Sequence, residues 1–284
     1  MKVKKFCKLS ASGNDFILID TLKAVLSQNY LRKFAAKHCV RKTGIGADGL
    51  LVIEESLKAD FKMRIFNSDG SEAEMCGNGA RCAALWFFRR KKSKSFTEFE
   101  TKAGMIEARR VKDRIKIKMP PPLNLELGIS LRAAGYALTV DFVNTGVPHA
   151  VVETDNIGKV DVEKLGRAIR FHKRFAPAGA NVDFMEHSGG GRIRIRTYER
   201  GVEGETLACG TGSAASAIIS LNRFNTGGKR NKGKINVKVK SGETLTVFFE
   251  RENGAVKNYW LEGKAEMLYK GVLQDEVNEG KNSG

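Results

Sequence analysis

Two kinds of hydrophobic periodicity alternate along the chain. Apolar and polar residues alternate in residues 61–66 (FKMRIF) and 192–198 (RIRIRTY), which predicts half-buried strands. Apolar residues recur with helical spacing in residues 31–38 (LRKFAAKH) and 165–172 (LGRAIRFH), which predicts two amphipathic helices. The pattern therefore predicts a mixed α/β (α+β) fold.

Two more helices are predicted directly after cysteine-containing turns. The turns read EMCGNGARC at residues 74–82 and LACGTGS at residues 207–213, and each follows one of the alternating strands. Residues 79–88 and 212–221 continue the turns as apolar runs with the composition of buried helices. Each cysteine is therefore expected at a strand-to-helix junction, directly before Gly-x-Gly.

The segments recur at a constant offset. Cys76 and Cys209 lie 133 positions apart (209 − 76), and so do Gly13 and Gly146 (146 − 13). The motifs GADGLL and GANVDF also begin 133 positions apart (179 − 46). Three collinear segments with one offset predict an internal duplication.

The duplication predicts two pseudo-symmetric halves. Three successive prolines in residues 118–124 (KMPPPLN) interrupt regular structure and mark the boundary. We expect an N-terminal half of residues 1–121, with residues from about 265 to 284 packing back onto it, and a C-terminal half of residues 122–264. Each half should wrap mostly antiparallel strands around one central helix, and the active site should lie in the cleft between them.

Composition narrows the class of protein. The 284 residues, 42% of them hydrophobic, can bury a sizeable core, and no stretch forms an unbroken apolar membrane span. The basic start MKVKKFCKLSASGND lacks the apolar core and cleavage site of a secretory signal, so a cytoplasmic location is expected. Five scattered cysteines without a CxxC pair predict free thiols, and no metal site is expected.

The net charge of +17 favours acidic partners. The densest basic runs, residues 89–94 and 227–234, look like loops after helices and lack the interleaved aromatic residues that stack on bases. We therefore interpret them as solvated surface and expect neither a membrane nor a nucleic-acid partner. A non-catalytic protein that binds nucleic acid is the alternative that the charge leaves open.

The cysteine turns predict a particular chemistry. Unpaired N–H groups at a helix start bind anions, and the helix dipole favours thiolate over thiol. Two such turns facing each other would place Cys76 and Cys209 on opposite sides of a carbon atom whose carboxylate the N–H groups hold. That arrangement suits inversion of a stereocentre by a two-base mechanism. A single buried cysteine is usually structural, and a cysteine hydrolase would explain only one of the two.

The two cysteine segments, residues 66–82 and 198–217, resemble the signature motifs of the diaminopimelate epimerase family, as do SGNDFILID, GIGADGLL, VPHAVV and NVDF. The resemblance runs from about residue 5 to about residue 270. It implies a cofactor-independent isomerase that interconverts LL- and meso-diaminopimelate, on the route to lysine and peptidoglycan precursors, and a homodimer. The alternative is a racemase of the same fold acting on another amino acid, such as histidine or proline.

The resemblance also implies individual roles. Cys76 and Cys209 would be the acid–base pair, and His149 and Glu199 would tune their pKa values. The residues that would bind substrate are Asn14, Asn67, Gly77, Asn78, Asn181, Glu199, Arg200, Gly210 and Thr211. Arg200 would clamp the distal carboxylate, because a guanidinium binds a carboxylate bidentately. Val147 stands where the family commonly has asparagine, and Gly49 where some members have glutamine, which bears on selectivity for the distal end.

Several of these residues have structural alternatives. His149 follows a proline and would serve as a capping or structural histidine. Asn67 and Asp69 would only shape the turn NSDG. Glu199 and Arg200 would form an ordinary surface pair worth little free energy.

Overall fold

The computed structural model describes residues 5–223, 231–252 and 255–274. Within these residues lie eighteen β-strands, which form one hydrogen-bonded sheet, and four α-helices. Two short 3-10 helices, Ile157–Lys159 and Lys173–Phe175, complete the regular structure of the same residues. The predicted mixed α/β class is confirmed.

Nine strands form a first group, called the N-terminal set. They are β1 (Lys5–Ala11), β2 (Asn14–Asp20), β3 (Gly49–Glu54), β4 (Phe61–Asn67), β5 (Glu72–Ala73), β6 (Phe96–Thr101), β7 (Gly104–Val111), β8 (Arg114–Lys118) and β18 (Glu266–Val272). Their order in the sheet is β18–β1–β2–β3–β4–β6–β7–β8, with the short β5 beside β4.

The other nine strands form the C-terminal set. They are β9 (Leu123–Ala133), β10 (Tyr136–Asn144), β11 (Pro148–Glu153), β12 (Asn181–His187), β13 (Arg192–Glu199), β14 (Gly204–Thr206), β15 (Lys232–Lys238), β16 (Thr244–Glu252) and β17 (Ala255–Lys264). Their order is β9–β10–β11–β12–β13–β15–β16–β17, with β14 beside β13.

The two sets share one topology. Parallel pairs occur at matching places, β2–β3 and β4–β6 in the first set and β11–β12 and β13–β15 in the second. The other strand pairs in the described residues are antiparallel, including β8–β17, which joins the two sets. The repeated topology confirms two pseudo-symmetric, mostly antiparallel halves. The proline-rich segment lies between β8 and β9, and the exact domain limits stay a prediction.

Each set wraps around one buried helix. The four helices are α1 (Gln28–His38), α2 (Gly77–Arg90), α3 (Val162–Arg170) and α4 (Gly210–Arg223). Helix α2 packs against β1, β7, β8 and β18, and α4 packs against β10, β11, β12 and β16. Most residues of both helices are buried, and their many small side chains allow the sheet to approach closely. The predicted central helices are confirmed.

Helices α1 and α3 cover the outer faces of the two sets. The alternation along β2 shows the division, because Ile17 packs in the cluster with α1 while Leu18 packs in the cluster with α2. Ser27 caps α1 by accepting the N–H of Tyr30 at 3.2 Å. Asp161 caps α3 through its side chain in the same way.

Four predicted segments differ from the structure in their bounds or in their type. Helices α2 and α4 begin at residues 77 and 210, so the first glycine of each Gly-x-Gly is already helical. The predicted helix 165–172 ends at Arg170, and His172 instead caps the 3-10 helix that follows. Of the basic run 227–234, residues 227–230 lie outside the described residues, and residues 232–234 belong to β15 rather than to a loop.

Candidate active site

Cys76 and Cys209 cap the two central helices in the same way. The Sγ of Cys76 accepts the N–H of Gly79 at 3.5 Å, and the Sγ of Cys209 accepts the N–H of Gly212 at 3.3 Å. The carbonyl oxygen of each cysteine accepts a helical N–H, at 2.8 and 2.9 Å. The predicted strand-to-helix junctions are therefore present twice, with the same local geometry.

The two helix starts lie side by side. The Cδ2 of Leu261 lies 3.8 Å from the position that a Cβ would take at Gly77 and 3.0 Å from the corresponding position at Gly210. The Oδ1 of Asn78 lies 3.7 Å from that second position. The glycines that follow the cysteines therefore allow the two chains to approach closely, and the unpaired N–H groups of both helices border one space.

That space is a cavity of about 770 Å³ between the two strand sets. The predicted site residues on its wall are Asn14, Asn67, Cys76, Gly77, Asn78, Asn181, Glu199, Arg200, Cys209, Gly210 and Thr211. Val147 and Gly49 also lie on the wall. Of the predicted site residues, only His149 does not line the cavity. It is fully buried behind the wall.

Burial raises the pKa of both thiols. At Cys76 the N–H of Gly79 acts against burial, whereas the nearby carboxylate of Glu199 adds to it. The pKa of Cys209 is raised well above its usual range, because the carboxylates of Glu199 and Asp183 both add to burial. Burial therefore opposes the preference for thiolate that the helix N–H groups give to both cysteines.

Glu199 and Arg200 do not form the ordinary surface pair that was the structural alternative. Burial raises the pKa of Glu199, against the opposing influence of the Thr206 hydroxyl. The backbone N–H of Arg200 donates to Asn181 Oδ1 at 2.8 Å, and its Nη1 donates to the carbonyl of Ala178 at 3.5 Å. Its guanidinium forms no ion pair within the described residues, so most of its donors remain available on the cavity wall.

His149 lies within β11, in a buried pair with Asp183. Its Nδ1 lies 2.7 Å from Asp183 Oδ2, and both side chains are completely buried. The other oxygen of Asp183 accepts the Thr197 hydroxyl at 2.6 Å. Because a carboxylate only accepts, His149 carries its proton on Nδ1 and offers Nε2 as an acceptor toward Asn181 Nδ2, 3.4 Å away.

Two predicted substrate-binding asparagines belong to one directional chain of hydrogen bonds. Arg81 Nη2 donates to Asn78 Oδ1 at 2.6 Å, the Asn78 amide donates to Asn14 Oδ1, and Asn14 Nδ2 donates to Asp48 Oδ2 at 3.1 Å. Arginine only donates and aspartate only accepts, so the orientation of both amides is determined.

Asn67 shapes a turn as well as lining the cavity. Its amide donates to Ser71 Oγ at 2.9 Å, and Asp69 accepts the Ser71 N–H at 2.8 Å. Gly70 closes the turn at a φ of 85°, in the left-handed region that favours glycine. Asn67 and Asp69 therefore do shape the turn, as the structural alternative predicted, and Asn67 lines the cavity as well.

Sequence reasoning missed three charged residues next to the site. Asp48 lines the cavity, and Arg81 and Asp183 are buried directly behind it. All three lie inside the motifs that carried the family resemblance. Arg81 and Asp183 also interrupt apolar runs, and a charge in a buried segment is the signal that would have singled them out.

Cys7, Cys39 and Cys82 lie away from the cavity wall, and all five cysteines are free thiols. In the described part of the chain, no group of three or more His, Cys, Asp and Glu side chains is arranged to hold a metal ion. None of the described helices combines the length and the apolar character needed to cross a membrane.

Solved structures share this fold. A phenazine biosynthesis protein of the PhzF family from Bacillus anthracis matches with a TM-score of 0.77 at 17% sequence identity, over 97% of this chain and 100% of its own. A hydroxyproline epimerase from Agrobacterium vitis matches with a TM-score of 0.73 at 14% identity, over 96% and 91% of the two chains. At these identities the likeness establishes the architecture.

Sequence comparison establishes the family. The family profile described as diaminopimelate epimerase matches residues 6–123 and 142–267, which span both strand sets. The diaminopimelate epimerase of Aquifex aeolicus is 43% identical over 285 residues, covering 97% of this chain and 99% of its own. That of Methanocella arvoryzae is 40% identical over 283 residues, covering 95% and 96%. The chain belongs to the diaminopimelate epimerase family.

Proposed function

We propose that the protein is an isomerase that interconverts LL- and meso-diaminopimelate by proton transfer at Cα between two cysteines. The observation that carries the proposal is the pair of cysteines, each capping one of two repeat-related helices that open onto one cavity. The names of the relatives supply the substrate. One sulfur takes the α-proton as the Cα–H bond breaks, and the other gives up its own proton as a new Cα–H bond forms on the opposite face.

The reaction needs one thiolate and one thiol in each direction. Burial raises the pKa of both thiols, and the carboxylates of Glu199 and Asp183 both add to it at Cys209, whereas at Cys76 the cation of Arg81 opposes the carboxylate of Glu199. This difference supports Cys76 as the thiolate and Cys209 as the thiol in the substrate-free protein. After one turnover the protonation states are exchanged, which prepares the pair for the reverse direction.

The α-carboxylate of the substrate would lie at the two helix starts. The N–H groups of Gly77, Asn78, Gly210 and Thr211 would donate to it, and both helix dipoles favour an anion there. As the Cα–H bond breaks, negative charge spreads into this carboxylate. The same donors then stabilise the transition state, as in an oxyanion hole.

The distal end of diaminopimelate would be held on the opposite side of the cavity. The free guanidinium donors of Arg200 suit the distal carboxylate, and Asn14, Asn67 and Asn181 offer polar contacts around it. Asn181 already accepts the Arg200 N–H, so it also sets the position of that arginine. Val147 leaves this end with fewer polar contacts than an asparagine would provide.

Glu199 and His149 would tune the site in different ways. Glu199 lies on the cavity wall and would contact the substrate ammonium group, while its charge bears on both cysteines. His149 has no surface on the cavity, so any effect it has on the cysteines passes through its neighbours Asn181 and Asp183. We also propose, from the family resemblance, a cytoplasmic homodimer, which sedimentation of the purified protein would test.

The proposal is tested by incubating the purified protein with LL-diaminopimelate without added cofactor and resolving the stereoisomers by chiral chromatography. Conversion to a mixture of LL and meso forms is expected. Histidine, proline and glutamate should remain unchanged, and racemisation of one of these with diaminopimelate untouched would overturn the substrate assignment. Cys76→Ala and Cys209→Ala should each abolish conversion, whereas Cys82→Ala, in the helix that Cys76 caps, should retain it.

A further inference from the structure

Arg81 is a buried cation at the point where the two helix starts meet. Its side chain is completely buried in α2. Its Nη1 lies 3.9 Å from the position of a Cβ at Gly210, the first residue of α4. A Cβ at Gly263 would come within 3.1 Å of its Nε and Cζ, so glycine there makes room for the guanidinium.

The charge of Arg81 has no carboxylate partner among the described residues. Its Nη2 donates to Ser12 Oγ at 2.7 Å and to Asn78 Oδ1 at 2.6 Å, whereas its Nε and Nη1 make no hydrogen bond there. A buried guanidinium normally pairs with a carboxylate, because removing an unpaired charge from water is costly. An anion close to Arg81 would therefore offset the cost of burying its charge.

The backbone conformation of Ser12 indicates that its hydrogen bond with Arg81 matters. It adopts a φ of 53°, in the left-handed region where glycine is favoured and a side chain is strained. Its neighbour Gly13 also has a positive φ, of 93°. The hydroxyl of Ser12 is the feature that glycine would lack at this position, and that hydroxyl receives Arg81.

Only one of the two repeats carries a positive charge at this helix position. The position equivalent to Arg81 is residue 214 (81 + 133), which is an alanine. After burial and a helix N–H group, the charges that bear on Cys76 are the carboxylate of Glu199 and the opposing cation of Arg81. The charges that weigh most on Cys209 are two carboxylates, those of Glu199 and Asp183. The two sulfurs thus occupy matching backbone positions in electrostatically different surroundings.

Two other charges act on Arg81. Glu243, before β16, and Arg114, on β8, bear on it with opposite signs, and Glu243 makes no hydrogen bond to it. Within the described residues, the only other titratable groups of its own helix and cap that act on it are the capping Cys76 and the buried Cys82. Burial raises the pKa of both thiols, which weakens them as counterions of the guanidinium.

We propose that Arg81 is a positioning residue of the site: it fixes the amides of Asn78 and Asn14, and it supplies the positive charge that makes Cys76 rather than Cys209 the anionic sulfur of the substrate-free protein. The inference rests on the proposed two-cysteine function. Arg81 has no surface on the cavity and acts through Asn78 and Cys76.

The test is the pH dependence of alkylation of each cysteine by iodoacetamide, read by peptide mass spectrometry in the protein without substrate. In Arg81→Met, Cys76 should be alkylated about three- to tenfold more slowly near pH 8, because loss of a nearby cation raises the pKa of the thiol. Cys209 should keep its rate in the same sample. Arg89→Met, an exposed position of the same helix, should leave both rates unchanged.

Activity supplies the second readout. Arg81→Met should lose at least about tenfold in kcat with a smaller change in KM, since the lost interaction matters most when charge develops. A folded Arg81→Met protein with wild-type alkylation of Cys76 would overturn the charge role. A purely structural role predicts a smaller active fraction with no change in the pH midpoint of Cys76, and that result would also overturn it.

Arg81→Lys keeps the proposal testable if Arg81→Met does not fold. It retains the charge, so Cys76 alkylation should stay within about twofold of the wild-type rate. A lysine lacks the planar fork that reaches Ser12 and Asn78 together, so kcat should still fall, and an unchanged kcat would overturn the positioning role. Absence of epimerisation by the wild-type protein would instead count against the proposed function, while the alkylation rates would still decide the charge role of Arg81.

Discussion

His149 Nδ1 lies 2.7 Å from Asp183 Oδ2 in a completely buried pair, directly behind the wall of the cavity. The equivalent positions of the other repeat, 133 residues earlier, are Phe16 and Leu50. The pair therefore belongs to one half only, the half that carries Cys209. The two halves have matching backbones, and this pair of polar side chains makes their surroundings different.

Asp183→Asn should make Cys209 more reactive. The substitution keeps the size of the side chain but removes a negative charge that raises the pKa of Cys209, after burial and Glu199. Alkylation of Cys209 near pH 8 should become about threefold or more faster, while the free energy of unfolding falls by about 1–3 kcal/mol through weakened hydrogen bonds. Asp113→Asn, in the exposed turn between β7 and β8, is the matched control. An unchanged Cys209 rate would contradict the assignment of Asp183.

Gly212→Ala should be more destabilising than Gly79→Ala, although the two glycines occupy equivalent helix positions. A Cβ at residue 212 would lie 2.2 Å from Asp183 Oδ1, and this carboxylate is held by His149 and Thr197. We expect a loss of about 1–3 kcal/mol, measured by denaturant unfolding, and loss of activity.

At Gly79 the nearest atoms are methyl groups of Leu51 and Ile65, at 3.0 and 3.3 Å. These side chains can shift by a few tenths of an ångström, and alanine gains about 1 kcal/mol of helix propensity over glycine. Gly79→Ala should therefore be close to neutral. A Gly79→Ala protein less stable than Gly212→Ala would show that Asp183 does not limit the approach of α4.

Arg200→Met should weaken binding of diaminopimelate more than it slows the chemical step. The guanidinium of Arg200 lies on the cavity wall with free donors, far from the bond that breaks in the proposed orientation. KM should rise on the order of tenfold or more, with a smaller change in kcat. Initial rates over a range of substrate concentrations separate the two constants. A large fall in kcat at unchanged KM would place Arg200 at the reacting end instead.

The protein should lose stability at alkaline pH in part through Cys39. Burial raises the pKa of this thiol from 9.0 to about 11. Because the folded-state pKa lies above the unfolded value, the contribution of Cys39 is fully present below pH 9. It is lost as pH rises through about 11.

Cys39→Ala removes this titration. Under reducing conditions, its free energy of unfolding should fall less steeply than that of the wild type, by about 1.4 kcal/mol per pH unit between pH 9 and 11. Between pH 6 and 8 the two proteins should differ by a constant amount. Equal slopes above pH 9 would mean that Cys39 does not retain its proton in the folded state.

The architecture and the place of the two cysteines at strand-to-helix junctions could be predicted because both depend on local patterns. Alternating strands and apolar helices are encoded over a few residues, and the constant offset relates one half to the other. The sequence pattern predicts the starts of α2 and α4 two residues too late. The reason is that the N-cap of each helix is a cysteine, Cys76 or Cys209, whose sulfur accepts a helical N–H. Cysteine is not among the residues that are preferred at a helix N-cap, so the sequence does not indicate this position.

The buried charges could not be assigned because their partners come from distant parts of the chain. Arg81 reaches Ser12 across 69 positions, and His149 reaches Asp183 across 34. Nothing local to any of the four residues specifies the other member of its pair. Only the assembled sheet brings them together, and the same assembly adds the burial that raises the pKa of Cys76 and Cys209.

The two-base reaction is tested most directly by converting LL-diaminopimelate in D₂O and measuring deuterium at Cα in product and recovered substrate by mass spectrometry. At early times the meso product should carry deuterium while the recovered LL form remains unlabelled, because one sulfur removes the proton and the other delivers a solvent-derived one. Neither Cys76→Ala nor Cys209→Ala should epimerise. Equal labelling of substrate and product, or substantial epimerisation by either variant, would contradict a pair of cysteines acting on opposite faces of Cα.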